Sequence, residues 1–284
     1  MSFLSAASGK TSARDMTTGA IWKEILLFSL PLMLGNVFQM LYNTVDSIVV
    51  GNFVGTEALA AVGSTTMIVN ILVFFFNGFS IGAGVVISNL FGARNLERLH
   101  KAVETTMAAA FLLCALFTAA GVASVPFMLR FMSTPDNVMD AATTYLQIYI
   151  GGISGLLIYN MGSGILRAVG DTMRPLYFLI LTSILNIGLD LLFVIAFDAG
   201  IAGVAWATIL SQFVSAFLIL YLLTRSRDVY RLTWHDMKID WSILGNIFAV
   251  GLPAGIQSVI TAFSNVFVQS YINFFGSDCM AGWS

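Results

Sequence analysis

The chain has 284 residues, 58% of them hydrophobic and only 10% charged, with a formal net charge of -2 and a mean hydropathy of +0.87. That balance excludes a water-soluble enzyme or a nucleic-acid binder, and it makes the chain an all-α polytopic membrane protein. The net charge itself is uninformative, because in a membrane chain the placement of charges matters more than their sum.

In chain order, residues 1-24 read as a polar cytoplasmic segment. Residues 1-20 lack the apolar core and cleavage site of a removable signal, so the first span is expected to direct insertion. Uncharged runs then predict seven spans, at about 25-52, 58-90, 102-129, 138-166, 174-197, 200-224 and 242-275. The clearest are the 25 residues between Glu104 and Arg130, the 26 between Asp140 and Arg167, and the 26 between Asp198 and Arg225. Each is long enough to cross a hydrocarbon core of roughly 30 Å as a helix. The first six spans form a six-helix bundle over 25-224, the N-lobe. Residues 225-241 form a cytoplasmic linker, and 242-284 hold the first helix of an incomplete C-lobe.

The basic residues orient these spans. Lys10, Arg14 and Lys23 precede span 1; Arg94, Arg98 and Lys101 lie between spans 2 and 3; Arg167 and Arg174 between spans 4 and 5; Arg225, Arg227, Arg231 and Lys238 in the linker. Only Arg130 falls in a loop of the other set. The positive-inside rule then puts the N-terminus in the cytoplasm of a multi-pass protein of the inner (plasma) membrane. The linker mixes its four cations with Tyr230, Leu232, Trp234 and Ile239, and reads either as an interfacial helix on the cytoplasmic leaflet or as a solvated connector.

Span 7 looks like a second copy of span 1. Leu30-Pro31 recurs as Leu252-Pro253 and Asn43 as Asn265, at an offset of 222, while Gly55-Thr-Glu-Ala-Leu-Ala60 is echoed by Gly276-Ser-Asp-Cys-Met-Ala281 at 221. Six spans separate the copies, so they run in the same direction, as in transporters built of parallel repeats.

Two carboxylates fall well within spans: Asp46 in span 1 and Asp190 in span 5. A carboxylate at membrane depth is costly, and such residues usually face the bundle interior and mark an ion or substrate path. Counted from Glu57 and Asp198, both lie roughly 12 to 16 Å below the outer loops. Thr208 falls at a similar depth and Tyr145 somewhat shallower. Gln39, Asn43 and Asp46 share one stripe of span 1, and Asn186 and Asp190 stack one turn apart on span 5. Such oxygens could coordinate sodium, or the carboxylate pair could share a proton.

Pro31, repeated by Pro253, interrupts the backbone hydrogen bonding of its helix, either as a moving hinge or as a static bend. Gly78 with Gly82, and Gly151 with Gly155, are small-residue pairs suited to helix packing. Other chemistry finds no support: Gly9-Lys10-Thr11 lacks the earlier glycine of a phosphate loop, His100 and His235 lie in connections, and Cys114 has no ionisable neighbour on its helix. No enzymatic site, zinc site or disulfide framework is expected.

The motifs Ser29-Leu-Pro-Leu-Met-Leu-Gly-Asn36, Asn43-Thr-Val-Asp46-Ser-Ile-Val-Val-Gly51, Leu166-Arg-Ala-Val-Gly-Asp-Thr172 with Pro175, Asn186-Ile-Gly-Leu-Asp190 and Gly200-Ile-Ala-Gly-Val-Ala-Trp-Ala-Thr208 together resemble the multidrug and toxic compound extrusion (MATE) family. The resemblance covers essentially the whole chain. It implies a twelve-helix antiporter of two six-helix bundles that exports cationic, amphipathic drugs against an inward sodium or proton gradient, with no cofactor beyond that coupling ion.

By motif match, Asp46, Asn186 and Asp190 are the N-lobe cation site, joined by Tyr145 and Thr208. Gln39, Asn43, Gln257 and Asn265 are candidate substrate-cavity residues, and Pro31 and Pro253 candidate hinges. Span 7 carries no acidic residue, so a second carboxylate site there has no support. The expected partners are an organic cation or drug and the lipid bilayer, not nucleic acid. A lipid-linked oligosaccharide flippase of the same superfamily is the nearer alternative and a membrane-embedded enzyme the more distant one. No Lys or Arg lies deep in any span to meet a flippase substrate's phosphate. A missing C-terminal half is expected to be needed for function, and span 7, without it, is expected to be poorly constrained.

Overall fold

The structure, a computed structural model, describes residues 21-274 apart from 133, 135, 227 and 236. Among these are eight α-helices: α1 (Ile21–Val49), α2 (Thr56–Gly92), α3 (Leu96–Phe131), α4 (Asp136–Gly151), α5 (Ile153–Ala168), α6 (Met173–Leu191), α7 (Gly200–Arg225) and α8 (Trp241–Phe274). The described residues contain no strand. Six helical stretches are long and apolar enough to cross a membrane, and α4 with α5 makes a seventh. The protein is an all-α, multi-pass membrane protein whose spans follow those expected from sequence. The end of the bundle at which α1 begins is called the near end below, and the opposite one the far end.

Four features depart from the sequence reading. Span 4 is not one helix: α4 and α5 meet at Gly151-Gly152 with a bend of 44°. A Cβ at Gly152 would stand 2.3 Å from Ile209 Cγ2, so the bend is where this span lets α7 approach its backbone.

Next, α1 and α6 do not end as plain helices. Each widens into a π-helical turn, Val50–Val54 and Leu192–Ala196, a few residues beyond Asp46 and Asp190. After the first, Gly55 at φ 116° turns the chain toward α2, a conformation that strains any residue with a Cβ.

The linker is neither an interfacial helix nor a solvated strand of chain. Its described residues are irregular, and Tyr230 and Leu232 are fully buried at the near end. Leu232 N donates to Leu223 O (3.0 Å), Tyr230 Oη donates to Asp228 Oδ2 (2.8 Å), and Arg174 Nη1 donates to Tyr230 Oη (3.1 Å). Thr233 donates to buried Glu104, which also lies 3.0 Å from His100 Nε2. Thr105 Oγ1 accepts from Asp240 N at 3.1 Å, and Asp240 Oδ1 then caps α8 by accepting from Ser242 N (2.9 Å) and Ile243 N (3.1 Å).

Span 7, finally, is seated rather than loose. The first half of α8 crosses α2 at Gly78 and Gly82, which face Gly251 and Gly255; a Cβ at Gly78 would come within 2.4 Å of Gly255 Cα. Phe79 and Phe248 pack beside this crossing with ring centroids 5.2 Å apart. With lipid as solvent, such close backbone approach and the dispersion contacts it permits are what hold helices together. Of the second sequence pair, Gly155 meets the α7 backbone at Gln212 and Phe213, whereas Gly151 touches nothing.

Candidate cation site and cavity

The helices α1, α5, α6 and α7 enclose a cavity of about 290 Å³ that opens from the near half of the bundle. From α1 it is lined by Leu32, Gly35, Asn36, Gln39 and Tyr42, positions three and four apart on one helical face. From α6 come Thr182, Ser183 and Asn186, and from α7 Thr208, Ser211, Gln212 and Ser215, again at helical spacing. These polar rows are only partly tied down: Ser215 Oγ donates to Thr182 Oγ1 (2.8 Å), Ser211 Oγ to Thr208 O (2.8 Å) and Thr208 Oγ1 to Val204 O (3.0 Å), whereas Ser183 Oγ and Gln212 Oε1 are buried without a partner among the described residues.

One turn beyond Tyr42 and Asn186, and outside the cavity lining itself, Asp46 and Asp190 bring their carboxyl groups within interaction distance of each other. Tyr42 and Tyr145 face the same pair, and Tyr145 stacks on Tyr149 at 6.0 Å. Asp190 is fully buried and Asp46 half-buried. Asp46 Oδ1, both Asp190 oxygens and both amide atoms of Asn186 are buried without a hydrogen-bond partner among the described residues. A buried polar group left so costs about 1 to 3 kcal/mol, and more when charged. Oxygen-rich and doubly acidic, the set has the chemistry of a hard monovalent cation or a shared proton. Among the described residues no group of three or more His, Cys, Asp or Glu side chains comes together.

The structure therefore brings together Asp46, Asn186, Asp190, Tyr145 and Thr208, with Gln39 in the cavity wall. It does not bring in Asn43, which is exposed; Tyr42, one position away, takes the cavity face instead. Gln257 is also exposed, on α8, because that helix packs on α2 and not beside α1. The side chain of Asn265 lies outside the described residues. Pro31 is buried in α1 at the cavity wall and Pro253 is exposed on α8, and both helices continue through their proline.

Sequence reasoning missed Tyr42, Ser183, Gln212 and Ser215, although the polar spacing of Thr182-Asn186-Asp190 and Thr208-Ser211-Gln212-Ser215 carries the signal. It also treated Arg167 as a loop cation, whereas Arg167 lies in the last turn of α5 and lines the cavity's near end.

Residues 31–192 match the MatE family model. The chain is 30% identical over 272 residues to the probable multidrug resistance protein YoeA of Bacillus subtilis, an alignment covering 93% of this chain and 58% of that relative. Identity to the probable multidrug resistance protein NorM of Thermotoga maritima is 28% over 266 residues, 92% of this chain and 57% of the other. An outward-facing multidrug resistance MATE family transporter of the MOP superfamily superposes with a TM-score of 0.85 at 30% identity, over 93% of this chain and 58% of that one. The chain thus spans less than two thirds of the relatives it matches. With the family model matching more than half of its residues and the fold shared across nearly all of them, the chain belongs to the MatE family of membrane transporters and is not an enzyme.

Proposed function

We propose that this chain carries the N-lobe of a cation-coupled exporter of cationic, amphipathic drugs or toxic organic compounds. The protein would lie in the plasma membrane with its N-terminus, and hence the near end of the cavity, in the cytoplasm. The observation that carries this reading is the side-by-side pair Asp46 and Asp190, one helical turn beyond the lining residues Tyr42 and Asn186 of a cavity large enough for a small organic cation, with three carboxylate oxygens unpartnered. An organic cation gains attraction from that pair only while it is ionised. Loading it with sodium or a proton cancels part of that charge and weakens the drug's hold, so ion and drug oppose one another by linkage.

Relatives named as multidrug resistance proteins support the drug part of this reading, and their greater length supports a second lobe. Alternating access would be completed by that lobe rocking against this one. Asp46, Asn186, Asp190, Tyr145 and Thr208 are together read as the cation-binding residues, with the two carboxylates supplying the charge.

The test is ethidium binding to the purified chain in detergent, titrated with sodium and separately with acid, followed by ethidium efflux from energised vesicles carrying the full-length protein. Asp46→Asn and Asp190→Asn should each weaken ethidium binding by about tenfold or more, and the double variant should lose far less than the product of the two. Ethidium affinity that is indifferent to pH, to sodium and to both substitutions would refute the proposal.

A further inference from the structure

We infer that the near end of the cavity is an oxyanion site, built on Arg167 and Ser163, which takes the carboxylate or phosphate group of an amphipathic ligand. The inference goes beyond the cation reading, since it concerns the opposite end of the cavity and the opposite charge.

Arg167 is half-buried in the last turn of α5, and its side chain lines the cavity. The acids closest to it in the chain and across the linker are engaged elsewhere. Asp171 Oδ2 lies 3.4 Å from Arg174 Nε, Asp171 Oδ1 accepts from Arg174 N at 3.2 Å, and Asp228 Oδ2 accepts from Tyr230 at 2.8 Å. Among the described residues no carboxylate forms an ion pair with the Arg167 guanidinium and no acceptor hydrogen-bonds it.

One turn earlier on the same face, Ser163 Oγ is buried beside the Tyr159 hydroxyl and makes no hydrogen bond of normal geometry among the described residues. The next residue back on this stripe, Tyr159, spends its hydroxyl on Pro175 O (2.9 Å), which closes the wall between α5 and α6. A guanidinium fork and a serine hydroxyl, both lining one cavity and neither bonded to a carboxylate among the described residues, match the geometry of an oxyanion. The apolar flank of the same cavity, from Leu156, Leu176 and Leu179, suits a ligand whose anionic head is followed by an alkyl or aryl body. The oxyanion has two natural sources, a dissolved amphiphile or the phosphate of a membrane lipid.

The experiment uses the purified chain in phosphatidylcholine nanodiscs and compares dansylaminoundecanoic acid with its neutral methyl ester by fluorescence. The acid should bind about tenfold tighter than the ester, a charge-assisted preference. Arg167→Gln should abolish that preference, Arg167→Lys should restore part of it, and Ser163→Ala should reduce it several-fold. Because the probe carries no cation, the readout does not depend on whether Asp46 and Asp190 bind one. Far-UV circular dichroism melts report folding, and if Arg167→Gln does not fold, the acid-to-ester ratio in the Arg167→Lys and Ser163→Ala variants carries the test. Replacing part of the phosphatidylcholine with phosphatidylglycerol separates the sources: competition with the acid identifies the site with a lipid headgroup, and undiminished binding identifies it with a dissolved amphiphile. Equal binding of acid and ester, or a preference that survives in the folded variants unchanged, would overturn the inference.

Discussion

Replacing Gly82 with alanine should pry α8 from α2. The new Cβ would stand 2.3 Å from Ile247 O, 2.7 Å from Gly251 N and 2.8 Å from Gly251 Cα. All three are backbone atoms, so no rotamer change can make room, and the helices must separate by about 1 Å. A gap of that size forfeits between a quarter and a half of each dispersion contact across the crossing. Overpacking of this kind typically costs about 1 to 3 kcal/mol. Against it stands the roughly 1 kcal/mol by which alanine outdoes glycine inside a helix. The sign is decided by a control in the same pair of helices: a Cβ at Gly245 meets nothing within 4 Å, so Gly245→Ala collects the propensity gain without the penalty. Thermal melts in detergent should therefore move in opposite directions for the two variants, and hydrogen exchange of the amides from 247 to 255 should accelerate only in Gly82→Ala. Equal melting temperatures for the two would show that the glycine crossing does not hold α8.

Tyr230→Phe removes the phenol that Arg174 and Asp228 share and should lower stability by about 1 to 3 kcal/mol, measured by thermal or chemical unfolding. The same residue sets an alkaline limit: burial, together with the Asp228 carboxylate, pushes the Tyr230 hydroxyl up to about 12, whereas an exposed tyrosine titrates near 10. Because the folded state favours the protonated phenol, its contribution is full below about pH 10 and is lost as pH rises through about 12, so Tyr230→Phe should flatten that part of the stability profile. Gly152→Ala should destabilise by about 1 to 3 kcal/mol, since its Cβ meets only the Ile209 side chain, at 2.3 to 2.6 Å. Combined with Ile209→Ala the loss should fall well short of the sum, and strict additivity in that double-mutant cycle would contradict the contact.

The parts of this fold legible in the sequence are those written in long, regular signals. Span positions follow from uncharged runs of more than 20 residues, and Asp46 and Asp190 stand out because acids are so rare at that depth. Their shared level came from counting residues along two helices that point the same way. What escaped depended on a second helix. The bend at Gly151-Gly152 reflects the demand of Ile209 for space, which no window around the glycines contains. Asn43 lost its expected place in the cavity to Tyr42 through a small difference in helix rotation that periodicity does not fix. The seating of α8 went unforeseen because Gly78 and Gly82 were seen as a packing pair while their counterparts, Gly251 and Gly255, went unnoticed around Pro253. Arg167 was set aside as a loop cation by its nearness to a helix end, although a long side chain at that point reaches back along its own helix into the cavity.

Mechanically, α8 is a long arm whose root is clamped. Its root is fixed three times over: by the Asp240 cap, by the Thr105 hydrogen bond just before it, and by the glycine crossing that extends to Gly255. From there the helix runs on for about 28 Å to Phe274. Pro253 sits within the fixed portion, between two glycines already committed to α2, so a bend there would have to break the crossing, whereas Pro31 in α1 meets no such clamp. Two prolines that match in sequence therefore differ in leverage: whatever is attached to the far tip of α8 inherits its direction from α2 and the linker, and a small tilt at the root is magnified along the length of the arm.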